Sequence, residues 1–190
     1  MKVTKAQAQE NRDHIVETAS TLFRERGYDG VGVAELMATA GFTHGGFYKH
    51  FRSKADLMDE AAACGISQNL TSNTGLDPAA FVEQYLSRGH RDSRSSGCTI
   101  AALSGDTARQ SADIKATFAD GIENTIASFQ DQSAKESELD QTQRRATMIS
   151  TYAHVVGALI LSRACPDDSP LADEILDVCR KEILREQHDR

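Results

Sequence analysis

Residues 44–54 read His-Gly-Gly-Phe-Tyr-Lys-His-Phe-Arg-Ser-Lys and contain no acidic side chain. Tyr48 and Lys49 carry a phenol and an ammonium, both good donors to phosphate oxygens. Thr43 and His44 stand at the start of the same segment, where side chains can reach base edges or phosphate. Phe47 and Phe51 are four residues apart and share one helix face, so Tyr48 and Lys49 point outward. The chemistry suggested is contact with double-stranded DNA, in which no bond is made or broken.

A second set of residues suggests small-molecule binding. Phe81, Tyr85, Cys98, Phe118, Met148 and Tyr152 are the candidates for an effector cavity, and each also fits a plain core role. Cys98 is expected at a helix start, where thiol reactivity can rise. It reads either as a redox or electrophile sensor or as a small buried hydrophobe. Cys64, Cys165 and Cys179 fall on or beside apolar helix faces. The four cysteines form no CxxC pair and no zinc spacing, so reduced thiols are expected and no metal or cofactor site is read.

Enzyme chemistry finds little to use. The chain has no HExxH, no P-loop, no GxSxG and no GxGxxG after a strand. Cys98 and His90 could pair as nucleophile and base, but no orienting group is evident. The chain therefore reads as a non-enzyme. A helical adaptor that ignores DNA is a further reading, against which the acid-free segment 44–54 speaks.

These residues must be positioned by helices. Ile15, Ala19, Leu22 and Phe23 predict a helix over about 7–26 that Gly27 stops. Val33, Leu36 and Met37 predict a short helix over 33–39, broken at Ala40-Gly41-Phe42. Thr43 is a good cap for a third helix over about 44–50, and Ser53 for a fourth. Gly45-Gly46 is poor helix material, costing about 1 kcal/mol each against Ala. It reads either as close backbone approach to DNA or as a looser, induced helix. Residues 69–76 read as a loop, and Asp77-Pro78 opens the next helix. Residues 90–97 read as a polar loop, and 99–109 as a helix. Ser111 caps a helix carrying Ile114, Phe118, Ile122, Ile126 and Phe129. A loop or frayed end is expected at 132–140. Two long helices follow at 141–163 and 170–187, the first burying Met148, Tyr152, Val155, Val156, Leu159 and Ile160. The second places Leu171, Ile175, Cys179 and Ile183 on one face. No segment alternates like a strand. The expected architecture is all-α. A three-helix helix-turn-helix DNA-binding domain (1–52) connects through a helix (53–69) to a helical effector-binding and dimerisation bundle (70–190).

The segment GFTHGGFYKHFRSKADL, preceded by AxxLFxxxGYxxxxVxEL from Ala19 to Leu36, resembles the tetracycline-repressor (TetR) family. The match covers about 12–59 and rests on Phe23, Gly27, Tyr28, Val33, Gly41, Phe47, Tyr48, Phe51 and Lys54. The resemblance implies a homodimer with an effector cavity in its C-terminal domain. Ligand binding in that family moves the two DNA-binding heads apart and releases the operator. Carried onto this chain, the DNA contacts fall on Thr43, His44, Gly45, Tyr48, Lys49, His50 and Lys54. Lys54 opens the fourth helix, where charge and free amides can together hold a phosphate. One departure is Gly32, which stands where the family usually has a Ser or Thr that caps the second helix and touches phosphate. The function implied is a ligand-responsive repressor that binds a palindromic operator as a dimer. A thiol-based repressor sensing through Cys98 is the alternative.

Charge supports the DNA reading in its distribution. The chain carries −7 overall, yet residues 1–54 carry +2 and the remainder −9. Lys2 and Lys5 read either as a minor-groove arm or as a disordered tail. No apolar run approaches the ~20 residues of a membrane span, and the N-terminus lacks the apolar stretch of a secretory signal. A cytoplasmic protein without membrane partners is expected.

Overall fold

The computed structural model describes residues 4–133 and 140–188, and no strand occurs among them. The possible arm at Lys2 and most of the expected loop at 132–140 lie outside the described residues. Helix α1 (Lys5–Arg26) starts where the Thr4 hydroxyl accepts from the Gln7 N–H at 3.2 Å. It stops at Gly27, whose φ of 75° suits a residue without Cβ. Its face of Ile15, Ala19, Leu22 and Phe23 is buried.

Helix α2 (Val33–Thr39) begins at Gly32, which offers no capping side chain. It ends in a Schellman motif: Gly41 takes φ 82°, and the Phe42 N–H donates to the Met37 carbonyl at 2.8 Å. That turn aims the next segment across α2. The expected α-helix over 44–50 is instead a 3₁₀ helix, His44–Lys49. Two glycines weaken α-helix there, and the Thr43 hydroxyl makes no cap. Helix α3 (Lys54–Asn73) is capped by the Ser53 hydroxyl on the Asp56 N–H. The Asp56 carboxylate reaches back to the Arg52 N–H at 3.1 Å, one residue short of a capping box.

Helix α3 runs on through residues expected to form a loop. Asn69 holds that turn inward: its Oδ1 accepts from the Thr99 N–H at 2.8 Å, and its Nδ2 donates to the Gly97 carbonyl. Helices α4 (Pro78–Tyr85), α5 (Arg88–Asp92) and α6 (Thr99–Thr107) follow, with a 3₁₀ turn at Arg94–Ser96 before α6. The expected polar loop at 90–97 is thus largely helical. Its organiser is Arg91, only 1% exposed, whose guanidinium donates to the Ser162 and Cys165 carbonyls. The same group also meets Asp92 at 2.6 Å and Asp167 at 3.1 Å.

Helices α7 (Ala112–Ser133), α8 (Gln141–Ala164) and α9 (Pro170–His188) complete the bundle. Asp140 and Gln143 form a reciprocal capping box at the start of α8. The core joins both halves: α3 packs on α1 and on α7, and α8 packs on α7 and on α9. Two expected buried positions are exposed, Ile160 on α8 and Leu171 on α9. The inward face of α9 is carried by Ala172, Leu176 and Ile183, which turns Leu171 outward.

Candidate nucleic-acid interface and effector cavity

The exposed face of the 3₁₀ helix rests on two buried rings. Phe47 and Phe51 lie 5.5 Å apart between centroids, beneath a Tyr48 that is 70% exposed. Phe47 meets the Tyr48 ring edge-on at 5.2 Å, which fixes where the phenol emerges. Thr43, His44, Gly45 and Lys49 are exposed on the same segment. His50 is half-buried, and its carbonyl accepts from Arg12 Nε at 3.3 Å. Arg12 also pairs with Glu60 and lies 4.7 Å over the Phe51 ring, so α1 and α3 both brace the segment. The Glu60 hydrogen bond raises the Arg12 pKa further.

Lys54 has a different setting from its neighbours. Its ammonium donates to the Tyr28 carbonyl at 2.5 Å and lies 5.9 Å from the Phe23 ring. It ties the start of α3 to the α1–α2 turn. The Tyr28 phenol below is pushed up to about 12, chiefly by burial. Arg52 is exposed and pairs with Asp56 at 2.9 Å, which holds that carboxyl below its usual range.

In the bundle, a cavity of about 390 Å³ lies between α3, α4, α7 and α8, bounded on one side by residues 87–98. Phe81, Tyr85, Cys98 and Tyr152 all line it. Met148 lines a smaller adjoining hollow, while Phe118 belongs to the core and lines neither. Residues missed in the sequence include Asn69, His90, Thr125 and Phe129. Phe129 could have been found from its helical register with Ile122 and Ile126. His90 sits in a segment whose polarity disguised it, though Ser87 three residues earlier is a helix-cap signal. The Cys98 side chain caps α6, its sulfur accepting from the Ala101 N–H at 3.4 Å.

The two sites are physically joined at the 95–99 turn. Arg24 near the end of α1 donates to the Ser95 carbonyl at 2.7 Å and to Ser20 Oγ at 2.9 Å. Burial is the main cause that lowers its pKa. One residue past α1's cap, the Tyr28 N–H donates to the Asp106 carboxylate at 3.0 Å. Any side chain at Gly27 would place its Cβ 2.6 Å from the same carboxylate.

The described residues thus form a helix-turn-helix head on a helical body that contains a cavity. Residues 15–61 match the family model described as bacterial regulatory proteins, tetR family. It is 42% identical over 57 residues to the HTH-type transcriptional regulator AcrR of Shigella flexneri, covering 30% of this chain and 26% of that protein. It is 30% identical over 128 residues to the HTH-type transcriptional repressor NemR of Escherichia coli K12, covering 62% of this chain and 64% of that one. The match thus spans less than two thirds of either relative. Among solved structures, the reduced form of E. coli NemR superposes with a TM-score of 0.74 at 22% identity, over 92% of this chain and 95% of that chain. A TetR regulator from Chloroflexus aurantiacus gives 0.69 at 22% identity, over 94% of each. These likenesses carry the fold across the whole described bundle. Among the described residues no helix is long and apolar enough to cross a membrane.

Proposed function

We propose that this chain is a transcriptional repressor that binds a palindromic operator as a homodimer and releases it when a small molecule fills the 390 Å³ cavity. The observation that carries the DNA reading is the exposed Tyr48 on its buried Phe47–Phe51 base. Thr43, His44, Gly45 and Lys49 flank it, with no acid between residues 44 and 54. Tyr48 and Lys49 supply phosphate contacts; His44 and Thr43 stand nearest the groove. His50 and Lys54 are half-buried and spend polar groups internally, so their part is to brace the segment as well as to approach the backbone.

Dimerisation is supported by exposed apolar side chains on the last two helices. Ile149, Ile160 and Leu161 on α8, and Leu171 and Val178 on α9, face outward in the monomer. Gly157 leaves open space where a Cβ would stand, which suits close approach of a second helix. A dimer would set its two heads about one DNA turn apart, ~34–36 Å. Coupling to the cavity runs through residues 95–99, which wall the cavity on one side and hold Arg24 on the other.

Fluorescence anisotropy on DNA from upstream of the protein's own gene, across a salt series, tests the reading. Binding should weaken steeply with salt, as phosphate contacts release counterions. Tyr48→Ala should lose roughly tenfold or more on every sequence, and His44→Ala should change sequence preference. Absence of binding there and in a random-sequence selection would sink the proposal.

A second reading is that Cys98 is a thiol sensor. It is favoured by one observation: the residue lines the cavity at the turn that holds Arg24. The E. coli neighbour is described in its reduced form. Loss of DNA binding after peroxide or enone treatment, prevented by Cys98→Ser, would support it. Equal loss in both proteins would remove it.

A further inference from the structure

The walls of the cavity narrow down what it can hold; this inference rests on reading that cavity as the effector site. Aromatic rings dominate one side, with Phe81 and Phe129 centroids 4.7 Å apart and Phe81 and Tyr85 5.2 Å apart. No Lys, Arg, Asp or Glu is among the lining residues. His90, the imidazole in the wall, has both nitrogens occupied. Its Nδ1 lies 2.8 Å from the Tyr85 carbonyl and must donate, while its Nε2 accepts from the Cys98 N–H at 3.1 Å. One neutral tautomer meets both demands, and burial holds the His90 pKa below the usual imidazole value. Asn69 is likewise spent on Thr99 and Gly97.

Tyr85 differs from these. It is only 5% exposed, and its Oη makes no hydrogen bond to oxygen or nitrogen among the described residues, its polar neighbour being the weakly bonding Cys98 thiol. Buried polar atoms are satisfied in the great majority of cases, so an orphan phenol on a cavity wall points at what enters the cavity. It faces Cys98 and Tyr152, which line the same space.

We propose that the cavity takes an uncharged aromatic molecule bearing a hydrogen-bond acceptor, such as a carbonyl oxygen, which accepts from Tyr85 Oη while its ring packs between Phe81, Phe129 and Tyr152. An ammonium ligand would find no carboxylate in the lining. It would also sit near Arg163, whose guanidinium donates to the His90 and Arg91 carbonyls behind the wall. A carboxylate ligand would be stripped of water with no Lys or Arg in the lining. The volume lies toward the small end of small-molecule sites and suits a compact ligand.

Four probes on one scaffold test this with the full chain: acetophenone, ethylbenzene, benzoate and benzylamine, their affinities measured by ligand-observed NMR titration. Acetophenone should bind best, with roughly tenfold preference over ethylbenzene, the value of one buried hydrogen bond. Tyr85→Phe should abolish that preference while leaving the melting temperature of the unliganded protein equal or higher, since it removes an unsatisfied buried hydroxyl. A preference unchanged in Tyr85→Phe overturns the role of the phenol. Tighter binding of benzoate or benzylamine, or no binding of acetophenone, overturns the ligand class. DNA binding by the unliganded protein, measured in parallel, reports on the regulator reading alone.

Discussion

The segment proposed to face DNA and the wall of the cavity use polar groups in opposite ways. Around Tyr48, side chains are exposed and lean on a buried hydrophobic base, so their donors are available to a partner. Around Cys98, His90 and Asn69 are half-buried and already paired, while the buried Tyr85 Oη is not paired to oxygen or nitrogen. A surface that meets a polyanion needs free donors, and it risks little stability by holding them in water. In a buried wall, a polar group left unpaired costs stability. Substitutions should therefore sort by region: in the body they weaken the fold, and in the head they weaken binding.

The sharpest way to break this contrast is Arg91→Ala. It removes a fully buried cation, takes one donor from the Ser162 carbonyl and leaves the Cys165 carbonyl without its guanidinium partner. Urea denaturation should show a loss of about 2–5 kcal/mol, from the cavity left by a fully buried side chain and the carbonyls that lose a donor. A loss under 1 kcal/mol would mean that the hub is dispensable. Next comes Gly65→Ala, whose Cβ would fall 2.5 Å from both Ser20 Oγ and Thr99 Oγ1 and 2.6 Å from Arg24 Nη1. Overpacking at this crossing of α1, α3 and α6 should cost about 1–3 kcal/mol. It should also disturb the link between cavity and head, visible as a changed DNA affinity in the folded protein. Tyr48→Ala should shift stability by less than about 0.5 kcal/mol while its DNA affinity falls, the mirror image of Arg91→Ala.

The smallest expected effect concerns pH. Because folding lowers the His90 pKa, the unfolded chain takes up a proton below about 6.5 that the folded protein resists. Its contribution is present above that value and is lost as pH falls toward the folded pKa. Denaturation midpoints between pH 7.5 and 5.5 should decline, and less so in His90→Asn.

The head was legible in the sequence because its devices are local. Gly27, Gly41 and Ser53 mark ends and starts within a few residues of the backbone they serve. The α2 boundaries, Val33 and Thr39, follow from them. The 3₁₀ geometry of 44–49 was half legible, since Gly45-Gly46 announces a weak helix without saying what replaces it. The cavity was less so. Phe81, Tyr85, Cys98 and Tyr152 could be named as aromatic or reactive residues on apolar faces. His90 and Asn69 read as loop residues because their partners lie elsewhere in the chain. Arg91 shows the limit most clearly. Its charge predicts a surface position, and the carbonyls that bury it come more than seventy residues later.

Gly27 carries a consequence for modular exchange. It ends α1 in a conformation that favours glycine, and it leaves the space that the Asp106 carboxylate of α6 fills. Head and body therefore meet as a socket and a plug, not as beads on a string. A chimera that grafts this head onto a body lacking an acid at the position of Asp106 would leave the Tyr28 amide without its acceptor. A body keeping the acid would refuse any head whose first helix ends in a larger residue. Such regulators should recombine within lineages that share this pair and resist recombination outside them.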